Sequence, residues 1–482
     1  MREKAAYGLT KGARARIRRG GMEKDPKLIA LETHPVGRLL FQYSLPAIIG
    51  MAAMAVFNIV DSIYIGQCCN AYAIAAIALI FPLMNLVGAA GTLVGLGSAA
   101  SASIFLGQQK FENAFRVLGN CLGLSFLLGV LVGWVPLLWL DEILLFFGAD
   151  ENTLGPARDF TLVLQLGCPI SYFMFNLNHL MRASGYPRKA MASLLIAMVV
   201  NIAAAHVFIY WLGWGMTGAG IATIGAQFVA LAWILAHYCG QSHILHFRRG
   251  IYRPSLKIIR RICTVGMPPC LLNIVGCVIV VVFNKLLIQF DGQLGLAAFG
   301  IVNRVLFLFV MVVLGVTQGM QPIAGYNLGL GNYARVKGVL YRAIAAAVCI
   351  TTVGWLMAEL IPGTVIAAFI NADDPHHGEL MELSLRGMRY MALVFPIVGS
   401  QIAIGNFFQS IGRPIMSIFL NLSRQCLVLL PCLLILPRFF EDDSGVWLSQ
   451  AVSDGFCGVV SILVLRRFIT HVLDKQKPAQ QS

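Results

Sequence analysis

Apolar residues run in stretches of about 20 or more along almost the whole chain, and polar residues gather in the short intervals between them. The stretches fall at 38–66, 71–98, 114–140, 158–181, 190–212 and 218–240, then at 258–290, 294–325, 336–361, 385–409, 414–437 and 446–469. As helices rising about 1.5 Å per residue, each can cross the ~30 Å hydrocarbon layer of a bilayer. Continuous runs of this length are unlike the short alternating strands of a membrane barrel. The pattern predicts an all-α membrane protein with twelve transmembrane helices.

The pattern also repeats. Pro169-Ile170, followed after a helical run by Ser184-Gly185-Tyr186-Pro187, recurs as Pro396-Ile397 followed at the same spacing by Ile411-Gly412-Arg413-Pro414. Leu106-Gly107-Gln108-Gln109-Lys110-Phe111 matches Leu328-Gly329-Leu330-Gly331-Asn332-Tyr333, Ala75-Ala76 matches Ala297-Ala298, and Pro46 matches Pro268. The chain therefore divides into a basic tail (1–36), an N-lobe of six helices (37–240), a linker (241–257), a C-lobe of six helices (258–470) and a second tail (471–482). An even number of spans per lobe makes the repeats parallel, related by an axis along the membrane normal. Such a bundle can bind a substrate between its halves and expose it to either side.

Composition supports the membrane reading, with 58% of residues hydrophobic and 12% charged. The net charge of +14 is unevenly placed. Lys and Arg crowd one set of loops: Arg14 to Lys27, Lys110 and Arg116, Arg182 to Lys189, Arg248 to Arg261, Arg335 to Arg342, and Arg466 to Lys477. The alternate loops are acidic, with Asp141, Glu142, Asp150 and Glu151, then Asp373, Asp374, Glu379 and Glu382, then Glu441, Asp442 and Asp443. Positive-inside bias predicts both termini in the cytoplasm. A basic tail abutting a membrane suits a topogenic or lipid-surface role better than nucleic-acid binding. No apolar core precedes the first span, so the tail does not read as a cleaved signal, and Met22 is an alternative start. Most of the twelve cysteines, such as Cys121, Cys277, Cys349 and Cys457, lie within apolar runs as small hydrophobes. Cys68 and Cys69 are adjacent and read as free thiols.

No motif of enzymatic chemistry emerges. A P-loop is absent, and the Gly-rich stretch Gly91 to Gly97 lies inside a span, where small residues allow close helix packing. His376-His377 lacks further ligands for a metal. Ionisable residues inside spans are the candidates for function, because each is costly there. Asp61 follows Asn58 in the first span, with Pro46 upstream as the expected kink and hinge. The C-lobe carries Lys285, Arg304, Arg424 and Asp454, in which one acid faces three cations. Two arrangements follow: a structural cluster, with Glu359 or Asp291 joining, or a positive site facing a wet cavity.

Taken together, Pro46 through Asp61-Ser62-Ile63-Tyr64-Ile65-Gly66, Arg182 to Pro187, Gln321-Pro322-Ile323-Ala324-Gly325-Tyr326-Asn327 and Gln409 to Pro414 resemble the multidrug and toxic compound extrusion (MATE) transporters, from about residue 36 to 470. The resemblance implies two six-helix lobes in a V with a central cleft. It also implies export of amphipathic, often cationic compounds in exchange for H⁺ or Na⁺, with no cofactor and no catalytic residue. The family's cation site falls on Asp61, Asn201 and Thr223, but its second Asp falls on Ala205, beside His206. Loss of that carboxylate favours H⁺ over Na⁺, with His206 as a titrating neighbour. The expected partners are small molecules and membrane lipid, and the expected state is monomeric. Two other functions compete: a lipid-linked oligosaccharide flippase of the same superfamily, and a membrane receptor or scaffold, for which the short loops supply no soluble module.

Overall fold

In the computed structural model, residues 25–68, 71–240, 243–248, 250–370, 376–440 and 442–473 are described. The basic residues before Asp25, Cys69, Asp373, Asp374, Glu441 and the basic residues after Leu473 lie outside them. Every described element is helical. α1 (Pro26–Thr33) starts where the Asp25 carboxylate accepts the Lys27 N–H at 2.8 Å and Pro26 takes the first position, which needs no donor. α2 (Val36–Cys68) and α3 (Ala71–Gly107) are the first two spans. The third is composite: α4 (Phe111–Leu128), a π segment and a 3₁₀ segment, then α5 (Leu140–Phe146).

α6 (Leu154–Leu166) and α7 (Cys168–Ala183) together make the fourth span and meet at 54°. α8 (Pro187–Ala205), continued by a π segment, and α9 (Gly215–Cys239) complete the N-lobe. α10 (Leu256–Gly329) is 74 residues long, about 110 Å if straight. It is instead broken at Gly292, at φ 61° and ψ −143°, and forms two spans. Then follow α11 (Tyr333–Leu360), the short α12 (Pro362–Ala367), and the pair α13 (His377–Ala392) and α14 (Phe395–Ser410), bent by 53°. α15 (Pro414–Leu422), a π segment and α16 (Leu430–Ile435) form the eleventh span, and α17 (Ser444–Phe468) the last. Among the described residues nine helical segments are long and apolar enough to span, two bent pairs join them, and α10 counts twice because of its break, giving the twelve expected.

The repeated motifs turn out to be the places where the chain changes direction. Pro169 and Pro396 each sit in the first turn of a new helix, and the fourth and tenth spans are bent there. Gly185 and Gly412 take φ of 96° and 70° ahead of Pro187 and Pro414, which open the next helices. By contrast α2 runs unbroken through Pro46.

The lobes meet where small residues let their helices touch, and the contacts come in repeat-related sets. A Cβ on Gly97 would lie 2.1 Å from Ile262 O, and one on Gly319 2.4 Å from Ser44 Oγ, in the equivalent crossing. Gly107 and Gly329, matched by the repeat, pack on each other's helices, their Cβ positions 2.0 Å from Tyr326 O and 2.3 Å from Ile104 O. The inter-lobe hydrogen bonds lie in the same half: Ser44 Oγ to Val316 O (3.3 Å), Gln321 Nε2 to Leu96 O (3.3 Å) and Gln318 Nε2 to Met51 Sδ (3.6 Å). Beyond Met51 and Thr92 no inter-lobe hydrogen bond occurs among the described residues. Above that level Val56, Ile59 and Phe81 of the N-lobe and Phe307 and Leu308 of the C-lobe are exposed. The molecule is thus closed at the end with the basic loops, and its cleft opens toward the acidic ones.

Candidate functional site

Asp61 lies on α2 seven residues before its end, about 10 Å below the acidic surface. It is 9% exposed. Thr223 of α9 donates its hydroxyl to Asp61 Oδ2 at 3.2 Å, and Asn201 of α8, fully buried, acts on the same carboxylate. The three residues named from the sequence are therefore one site, although 162 positions separate Asp61 from Thr223. Asp61 Oδ1 and both amide atoms of Asn201 have no hydrogen-bond partner among the described residues. Buried polar atoms normally find partners, and here an acceptor oxygen and an amide lie together without them. Only one carboxylate is offered. Toward the acidic end the site is bounded by apolar side chains, with Ala205, Ile65, Ile209 and Ala222 in one buried cluster.

His206 begins the π segment that follows α8. Its Nδ1 lies 3.3 Å from Tyr64 Oη, and its ring stacks on Tyr210 at 5.2 Å and meets Trp211 edge-on. These aromatic contacts orient it, and no hydrogen bond joins it to Asp61 among the described residues.

In the C-lobe the expected group of four reduces to a pair. Arg424 Nη1 meets Asp454 Oδ1 at 3.0 Å, and Gln450 Nε2 donates to Asp454 Oδ2 at 2.8 Å. Both carboxylate oxygens are then in use. Lys285 and Arg304 are exposed and make no ion pair or side-chain hydrogen bond among the described residues. Asp291, considered as their counter-ion, instead faces Asp443 and Arg386 at the acidic end, where Arg386 pairs with Asp443 at 2.8 Å. Lys285 is seven residues from the Gly292 break, about 10 Å, close enough for its stem to carry the ammonium to the surface. Arg304 is deeper.

Two residues of the lobe interface were not singled out as functional by the sequence. Arg182, at the end of α7, is 8% exposed; it donates to Gln318 Oε1 of the opposite lobe and lies 3.1 Å from His179 Nδ1. It has no carboxylate partner among the described residues. In the sequence it reads as one more basic residue beside a turn, and only the crossing of the lobes shows that it is covered.

The sequence model of the MatE family matches residues 46–207 and 268–434. Among curated proteins the chain is similar to the multidrug export protein MepA of Staphylococcus aureus strain MSSA476, with 24% identity over 449 residues, 92% of this chain and 96% of the relative. It is also similar to MepA of Staphylococcus saprophyticus, at 25% over 450 residues with the same coverage. Among solved structures, a MOP superfamily transporter from Pyrococcus furiosus, described as having a binding pocket of reversed polarity, superposes with a TM-score of 0.88 at 23% identity, covering 94% of this chain and 100% of its own. An outward-facing MATE family transporter of the same superfamily gives 0.86 at 23%, with the same coverage. The family model spans both lobes in register with the internal repeat, and the chain belongs to the MatE family.

Proposed function

We propose that the protein is a secondary active antiporter that exports small amphipathic compounds in exchange for H⁺ by alternating access. It would act as a monomer in a bacterial cytoplasmic membrane, with the basic loops and both termini inside. The observation that carries this reading is Asp61: one buried carboxylate, bonded by Thr223, beside the buried Asn201 and left with an unpartnered oxygen, next to a cleft closed at one end only. Protonation there would cancel a buried charge, and the cost of that charge couples the proton to the shape of the lobe. Na⁺ would need more oxygen ligands than one carboxylate, one amide and one hydroxyl provide. His206, 3.3 Å from Tyr64 Oη, is the neighbouring ionisable residue. MepA is a multidrug export protein, and its similarity over 92% of the chain supports export. A flippase for lipid-linked sugars would call for abundant charge in the cleft, whereas the exposed residues above the closed end include the apolar Val56, Ile59, Phe81 and Leu308.

Proteoliposomes with independently set pH and Na⁺ gradients test the assignment. Asp61→Asn keeps the size and loses the titration, so the variant should insert normally yet lose pH-driven exchange. Full gradient-driven transport by that variant would overturn the role of Asp61. Ala205→Asp, which adds a carboxylate to the site, should create a Na⁺ dependence, and an unchanged Na⁺ response would count against the ligand argument.

A further inference from the structure

We propose that the cleft recognises the anionic group of its cargo, through Arg304 in its wall and Arg182 at its closed end; the inference rests on the efflux reading above and names its substrate class. The position of Arg304 carries it. Twelve residues past the Gly292 break, about 18 Å along the helix, Arg304 lies near the middle of the membrane. An exposed guanidinium at that depth is very costly against lipid, so it belongs to a wet cavity. The helical register gives the same answer independently. Eleven residues, three turns, separate Arg304 from Gly315, and fourteen, about four turns, separate it from Gln318. No proline interrupts α10 between these positions. Gly315 packs on Ile48 and Gln318 on Met51, both of the N-lobe. The face of α10 that touches the N-lobe below is therefore the face that presents Arg304 to the cleft above.

No carboxylate pairs with it among the described residues. Its repeat counterpart across the cleft is Pro82, and the neighbouring Phe81 and Leu86 are exposed and apolar. Asp454 is taken by Arg424, and Asp61 is turned into the N-lobe against Thr223. On its own helix Phe307 and Leu308 flank Arg304 with exposed apolar surface, the surroundings an amphipathic anion needs. At the foot of the same face, Gln318 caps the buried Arg182 from the opposite lobe. When the lobes part at the basic end, that cap leaves with the C-lobe, and Arg182 is uncovered without a carboxylate to hold it. An incoming anion meets a cation at two levels of its path, whereas a cationic drug meets like charge at both. This reverses the family habit of cationic cargo for the C-lobe wall and leaves Asp61 free for the coupling proton.

Flux of two amphipathic probes through proteoliposomes under an imposed pH gradient decides the matter: anilinonaphthalene sulfonate as the anion and ethidium as the cation. Wild-type protein should move the anion. Arg304→Gln should lower anion flux by about tenfold or more, the scale of one charge-assisted contact, while Arg304→Lys retains most of it. Because Arg304 is exposed and unpaired, both variants should unfold at the wild-type temperature. Leu308→Asp, one turn away on the same face, gives Arg304 an internal partner and should weaken anion flux in the same way with the arginine intact. The proposal is overturned if wild type moves ethidium but not the sulfonate, or if Arg304→Gln and Leu308→Asp both carry the anion within twofold of wild type. Transport of neither probe by wild type would strike at the efflux reading itself.

Discussion

Gln109 and Gly331 occupy the same position of the internal repeat and the same left-handed backbone region, at φ 60° and 75°. Glycine adopts that region freely, whereas a residue with a Cβ is strained there by about 1 kcal/mol. Gln109→Gly should therefore raise the thermal unfolding temperature in detergent, and a lowered value would mean that the glutamine side chain holds the turn. Thr223 offers a second residue-scale test. Thr223→Ala removes the 3.2 Å hydrogen bond to Asp61 and should weaken pH-driven exchange at unchanged protein yield, a loss of about 1 kcal/mol at the carboxylate. At this scale the sequence was legible in kind and not in partnership. Asp61 stood out because a carboxylate inside an apolar run is expensive, but its connection to Asn201 and Thr223 came from family resemblance. Nothing in local spacing links residues 162 apart. The fate of Lys285 and Arg304 was hidden for a related reason. Which way a helical residue points depends on the neighbour it packs against, and the sequence does not place that neighbour.

Helices were the most legible elements, since the twelve apolar runs correspond to twelve spans among the described residues once the Gly292 break divides α10. Their breaks were not. A proline in a long apolar run reads as a kink wherever it falls, yet α2 continues through Pro46 while the fourth and tenth spans bend by 54° and 53° ahead of Pro169 and Pro396. The difference lies in what precedes the ring. At Gly167 and Leu393 the preceding helix has already ended, so each proline opens a helix and loses no hydrogen bond. Pro46 instead interrupts the ladder of α2 and leaves the Gln42 carbonyl without its usual donor. Pro46→Ala restores that donor and should stiffen α2, slowing turnover more than it weakens substrate binding. Turnover at the wild-type rate would show that α2 does not flex there.

On the scale of the whole molecule, α1 ties the two lobes together across the closed end. Its first turn is held by the N-lobe, with Lys27 Nζ 3.1 Å from the centre of the Tyr186 ring. Its last turn is held by the C-lobe: Asn327 Nδ2 donates to Leu31 O at 3.2 Å, and Arg335 donates to Leu31 O at 3.2 Å and His34 O at 2.6 Å. Leu28 and Leu31 are buried beneath it. The lobes cannot part at this end unless one anchor lets go. Arg335→Ala removes two of the bonds, so it should raise labelling of a Gln318→Cys reporter by an impermeant maleimide applied from the basic side; equal labelling would show that α1 does not limit opening.

The N-lobe anchor carries its own sensitivity to acid. His243, in the loop after α9, contacts Tyr186 Oη at 3.3 Å and Lys189 Nζ at 3.5 Å, its ring stacks on His237 at 4.0 Å, and Lys27, Asp25 and His246 are near it. Burial, then the charges of Lys189 and Lys27, hold its pKa below the ordinary value of 6.5, against the weaker pull of Asp25. A histidine that is harder to protonate when docked binds fewer protons docked than undocked. Docking is thus fully favoured above about 6.5 and loses stability as pH falls below it. Hydrogen exchange of residues 25–34, corrected for the intrinsic pH dependence, should be faster at pH 5.5 than at pH 7.5, and His243→Gln should remove the difference. Equal protection at both values in the wild-type protein would detach the titration of His243 from the docking of α1.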